Sequence, residues 1–105
     1  MCGIAGFVTN RPLVLEETIQ HMADRLLHRG PDDSGCWVDT EGGLALGHRR
    51  LSILDLSPNG HQPMMSACGR YVIVLNGEIY NHEVLRRTLD TASAAPGWRG
   101  HSDTE

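Results

Sequence analysis

Apolar and polar positions change their spacing along the chain, and each change predicts an element. Residues 3–9 (GIAGFVT) are short, apolar and glycine-punctuated, which predicts a buried strand. From Pro12 the period lengthens: Leu15, Ile19, Met22 and Leu26 fall on one face, predicting a helix that packs this stripe into the core. Residues 28–35 (HRGPDDSG) end that helix in a loop, because Gly30 and Pro31 cannot continue it. Strand signals follow at 36–39, 44–48 and 51–54, and then turn formers dominate residues 55–66 (DLSPNGHQPMMS), predicting a long loop. Residues 71–75 (YVIVL) are apolar on both faces, the pattern of a strand covered on both sides. Asn76-Gly77 breaks it. Asn81 then predicts the N-cap of a helix through Asp90 with Val84, Leu85 and Leu89 inward, followed by a small-residue connection over 91–97.

The order is strands, helix, strands, helix, with hairpin-length gaps between neighbouring strands. That favours an antiparallel α+β layering over parallel βαβ units. With 105 residues there is room for one modest domain, and no internal repeat or low-complexity tract divides it.

Charge and cysteine usage narrow the function classes. A net charge of -4, with Arg49-Arg50 as an isolated basic pair, argues against a nucleic-acid partner. No apolar run approaches the ~18 residues of a membrane span. The start of the chain lacks the basic segment and cleavage site of a secretory signal, so the cytoplasm is the default compartment. Three cysteines, Cys2, Cys36 and Cys68, fit reduced thiols better than a disulfide framework. Six scattered histidines without CxxC or HxxxH spacing predict no metal site.

Cys2 carries the first candidate chemistry. Removal of Met1 would leave a thiol and a free α-amine on one residue. An α-amine titrates at about 7.7–8.0 in ordinary surroundings and can take the thiol proton directly or through a water. No catalytic histidine is then needed. Taken alone, a cysteine near an N-terminus is weak evidence, as is an Asn-Gly pair, which by itself is an ordinary turn.

Six segments in one order change the weight of both: CGIAGF from Cys2, HRGPDDSG from His28, GHRRLSILDLS from Gly47, GHQPM from Gly60, NGEIYNH from Asn76 and SDTE from Ser102. Together they resemble the N-terminal glutaminase domain of glutamine-hydrolysing asparagine synthetases, a class II, N-terminal-nucleophile amidotransferase, over residues 2–105. The resemblance implies part of an αββα sandwich with mainly antiparallel sheets. It also implies that Cys2 attacks the side-chain amide of glutamine, and that the Asn76 side chain and Gly77 N–H stabilise the oxyanion. Arg50 corresponds to the family's arginine for the substrate carboxylate. Glu78 and Asp103 correspond to the acids near its ammonium, and Leu51, Ser52, Ile53 and Leu54 line the same region. Arg49 falls on the opposite face of a strand and is not assigned. Arg29 and Asp32 are expected to pair, as a buried ionic couple or as a surface pair, GHQPM to form a packed loop, Cys36 and Cys68 to be inert thiols, and Trp37 and Trp98 to serve packing.

Further expectations concern the parent protein. The resemblance implies glutamine as substrate and a C-terminal synthetase domain as partner, with ATP and magnesium used there. No cofactor is expected in residues 1–105, which carry neither a Gly-rich phosphate loop nor an acidic metal cluster. The chain reads as a partial amidotransferase domain that, made alone, is poorly active, unstable or homo-oligomeric, because sheet edges and apolar faces lack cover. Two alternatives stay open: an amidotransferase that serves an acceptor other than aspartate, and a non-catalytic partner-binding module.

Overall fold

Strand β1 (Gly3–Val8) runs antiparallel to β3 (Leu44–Arg50), which also pairs antiparallel with β2 (Asp33–Asp39), so β3 is the central strand of the order β1-β3-β2. A computed structural model describes residues 1–53, 57–93 and 97–105. The register sets Phe7 and Val38 beside Ala45, and Ala5 beside Gly47. Because alternate residues share a face, this row forms one apolar side of the sheet. Helix α1 (Leu15–Asp24) lies on it, with Leu15, Ile19 and Ala23 buried. A Cβ on Gly47 would press on Ile19 and Ala23 at 3.1–3.3 Å, so glycine lets the helix sit close to β3.

A second sheet pairs β4 (Met64–Met65) with β5 (Val72–Ile73), and helix α2 (His82–Thr91) follows. The architecture is α+β with antiparallel sheets, as the pattern predicts.

The differences are instructive. Helix α1 ends at Asp24, short of the Gly30-Pro31 breaker, and Met22 is exposed while Ala23 takes the buried position. β2 and β3 are longer than expected, because pairing with β3 extends β2 back to Asp33 and β3 itself runs on to Arg50. Residues 51–53 form no strand, and Leu54 lies outside the described residues. Among the described residues of the loop predicted over 55–66, a 3₁₀ turn (Pro58–Gly60) and β4 form. The strand predicted over 71–75 shrinks to two residues with Tyr71 and Ile73 exposed, so it is not covered on both sides. Val84, Leu85 and Leu89 of α2 are exposed rather than inward. Asn81 stands at the N-cap but makes no side-chain capping bond. Its carbonyl accepts the first helical N–H groups instead.

Candidate active site

The last ladder pair of β1 and β3 is Gly3 with Arg49. One step further along both strands places Cys2 beside Arg50, on the face away from α1. The Cys2 sulfur lies against the Leu51 backbone, whose N–H donates to Sγ at 3.3 Å while the thiol faces the Leu51 carbonyl at 3.7 Å. Arg29 Nε donates to the Cys2 carbonyl at 3.1 Å. The half-buried nucleophile candidate is thus held at its sulfur and at its carbonyl by two separate loops.

Arg50 is buried, 7% exposed. Its Nη1 donates to the Ser57 carbonyl at 3.3 Å, and the guanidinium lies where a Cβ on Gly60 would sit. Gly60 therefore makes the room in which this cation is stored. Arg49 points the other way, 3.8 Å from Asp24 of α1, with its Nε buried and without a hydrogen-bond partner among the described residues. That agrees with leaving Arg49 out of the site.

A cleft of about 600 Å³, part of it open solvent, joins these groups to the far end of the chain. Cys2, Arg50, Leu51, Ile53, Asn76, Gly77, Glu78 and Asp103 all line it. Asn76, Gly77 and Glu78 are exposed at its rim, just past the end of β5. Asp103 is half-buried and accepts the Ile79 N–H at 2.7 Å with one carboxylate oxygen. Ser52 is not part of the wall: its N–H goes to Asp32 at 2.8 Å. Leu54 lies outside the described residues.

That bond corrects another expectation. Arg29 and Asp32 do not pair with each other; one binds the Cys2 carbonyl and the other the Ser52 N–H. Each secures backbone at the cleft, which a free ion pair would not do. The two remaining thiols lie away from the cleft lining. Cys36 and Cys68 are both exposed. Burial raises the Cys36 thiol, helped by Asp24 and opposed by Arg49. The Ser66 hydroxyl lowers that of Cys68.

The segment carrying Asp103 is stapled from α2. Arg86 donates to the Gly100 and Ser102 carbonyls at 2.7 and 2.6 Å and stacks on Trp98, 4.4 Å from the ring centroid. The Glu105 carboxylate takes the N–H groups of Arg99 and Gly100. Burial would raise that carboxyl, yet these donors with the Arg99 and Arg86 guanidinium groups outweigh it and hold it below the ordinary carboxylate range. Trp98 also donates to Asp90 at 2.9 Å, so it serves both packing and anchoring.

Sequence reasoning missed Gln62, Leu75, Ser102 and Thr104 on the cleft wall. Gln62 hides inside a run of turn formers, and no periodic signal marks a glutamine that folds inward. Among the described residues, no group of three or more His, Cys, Asp or Glu is placed to hold a metal ion, and no helix is long and apolar enough to cross a membrane.

Comparison with known proteins meets this geometry. Residues 1–105 match the profile of the glutamine amidotransferase domain. A glutamine-hydrolysing asparagine synthetase of Bacillus subtilis (strain 168) is 41% identical over 116 aligned residues, covering 100% of this chain and 17% of its own length. A putative glutamine-hydrolysing asparagine synthetase of Mycobacterium tuberculosis is 39% identical over 109, covering 90% of this chain and 17% of its own. "Amidase chry2" of Gibberella zeae is 42% identical over 100, covering 85% and 15%. The chain therefore spans less than a fifth of the length of these relatives. With a whole-chain match, and with cysteine, arginine and the Asn-Gly pair gathered on one cleft, the chain belongs to the glutamine amidotransferase domain family.

Proposed function

We propose that this chain hydrolyses the side-chain amide of glutamine, as the ammonia-supplying part of an enzyme of the glutamine-hydrolysing asparagine synthetase type. The observation that carries this reading is the convergence of Cys2, Arg50, Asn76, Gly77, Glu78 and Asp103 on one cleft from positions spread from 2 to 103 in the chain. Membership of the family supports it.

The chemistry divides among these groups. Cys2 Sγ adds to the amide carbon and the carbonyl π-electrons move to oxygen, giving a tetrahedral oxyanion. The Asn76 amide and Gly77 N–H donate to that oxygen, where charge develops. The C–N bond then breaks, the nitrogen takes a proton and leaves as ammonia, and water hydrolyses the γ-glutamyl thioester to glutamate. Arg50 holds the α-carboxylate through a planar, bidentate fork. Glu78 and Asp103 receive the α-ammonium. The base is the Cys2 α-amine, freed when Met1 is removed; Met1 is 75% exposed and borders the cleft, so it is open to an aminopeptidase.

In the whole protein, a C-terminal synthetase domain would use the ammonia, with ATP and magnesium bound there and aspartate as acceptor, in the cytoplasm. No cofactor is assigned to residues 1–105. A different acceptor is the second reading, favoured by the amidase name of one relative at 42% identity. The exposed apolar residues of α2 and β5 support self-association when this segment is made alone.

Mass spectrometry of the full chain treated with a glutamine-derived electrophile tests the reading. The expected result is loss of Met1 and one adduct on Cys2, prevented by glutamine. Retained Met1, or adducts confined to Cys36 and Cys68, would overturn it. Cys2→Ala should abolish glutamine-dependent synthesis and spare synthesis from added ammonia.

A further inference from the structure

Strand pairing in the second sheet stops at Ile73, yet the chain must stay in place for three more residues to present Asn76 and Gly77. Both polar groups of the Leu75 backbone are taken by side chains. Its N–H donates to Gln62 Oε1 at 2.7 Å, and its carbonyl accepts from His48 Nε2 at 3.2 Å. His48 is 1% exposed and sits on β3, the central strand of its sheet, two residues before Arg50. Gln62 is 6% exposed, and its Nε2 donates to Thr104 Oγ1 at 3.1 Å. Thr104 follows Asp103, and its own N–H is held by Ser102 Oγ at 3.2 Å.

One buried amide thus touches the backbone before the Asn-Gly pair and the residue after Asp103. Its two ends have opposite polarity, so its orientation is fixed: oxygen to Leu75, nitrogen to Thr104. A side chain of other shape would leave the Leu75 N–H without a partner, which favours movement of that strand end over a small local loss.

Resting on the glutaminase reading, we propose that Gln62 is a positioning residue that fixes the oxyanion donors Asn76 and Gly77 relative to the turn bearing Asp103. It touches no reacting atom. It acts through Leu75 on one side and Thr104 on the other. Losing an oxyanion donor outright typically reduces rate ~10²–10³-fold, and misplacing both should reduce it by about 10–100-fold.

The test is steady-state glutamine hydrolysis by the full chain carrying Gln62→Met, Asn76→Ala, or both. Gln62→Met should lower kcat about 10–100-fold with KM within about threefold, because Arg50 is held independently and the Asp103 turn keeps its anchors to Arg86 and the Ile79 N–H. The double variant should fall no more than about threefold below Asn76→Ala, since both changes act on the same donors. Alkylation of Cys2 by iodoacetamide should keep its rate, as Leu51 rather than Leu75 holds that sulfur. Gln62→Glu, which keeps an oxygen for the Leu75 N–H, should recover most of kcat. If Gln62→Met does not fold, Thr104→Val removes one anchor alone and should show the same pattern at about 3–10-fold.

An unchanged kcat, full additivity with Asn76→Ala, or a parallel fall in Cys2 alkylation would overturn the proposal. If the wild-type chain shows no Cys2-dependent hydrolysis, the glutaminase reading fails and the proposal goes with it. If Cys2→Ala and Asn76→Ala behave as expected while Gln62→Met is silent, only the positioning role fails.

Discussion

Helices α1 and α2 are both ten residues long and both amphipathic, yet α1 buries Leu15, Ile19 and Ala23 while α2 buries nothing. Amphipathy states that a helix has an apolar side; it does not state what meets that side. For α1 the partner is close in sequence, since β1, β2 and β3 fold against it within the first half of the chain. Helix α2 instead works through its polar side: Arg86 staples the turn that carries Asp103, while Val84, Leu85 and Leu89 face solvent. One helix stabilises the scaffold and the other arranges the cleft.

The sharpest break of that contrast is Ile19→Ala. Ile19 is fully buried under β3, so its truncation should destabilise by about 2–5 kcal/mol, measured as a shift in urea midpoint. A loss below about 1 kcal/mol would mean that α1 does not anchor the sheet.

Next comes Gly60→Ala, which acts on the cleft and not on the core. The added methyl displaces the Arg50 guanidinium, and the KM for glutamine should rise about tenfold, equivalent to ~1.4 kcal/mol of lost carboxylate binding. The urea midpoint should move far less than in Ile19→Ala. An unchanged KM would remove Arg50 from the substrate site.

A smaller effect follows from pH. Burial lowers the His48 imidazole below its ordinary value of 6.5, and Arg50 and His61 lower it further, against the Leu75 carbonyl and Asp33. The unfolded chain therefore binds the proton first as pH falls. Stability should be full above about 6.5 and decline as pH drops below it, with the Glu105 contribution lost only at lower pH, below the ordinary 4.5 of that carboxyl. Denaturation at pH 7.5, 6 and 5 measures this; a flat profile over that range would show that His48 is not held neutral.

Leu85→Ala should have the smallest effect, within about 0.5 kcal/mol, because the side chain is exposed. A loss comparable to Ile19→Ala would erase the distinction between the two helices.

The sequence by itself determined that strands stand near 3–9, 36–39 and 44–48 and a helix from Leu15, because an apolar run or a helical stripe marks each; it did not determine their ends, or that Ile4 and Val8 of β1 would be exposed. It also named Cys2, Arg50, Asn76, Gly77, Glu78 and Asp103, through six ordered segments and not through spacing. Tertiary structure decided the rest. Whether a polar side chain faces a cleft depends on register, and a register is set by two strands together: Gly3 opposite Arg49 turns Cys2 and Arg50 to one side and Arg49 to the other. Gln62 and Thr104 meet across 42 residues, and Arg29 finds the Cys2 carbonyl across 27. Such contacts leave no periodic trace, because a hydrogen bond between distant loops constrains two positions and nothing between them.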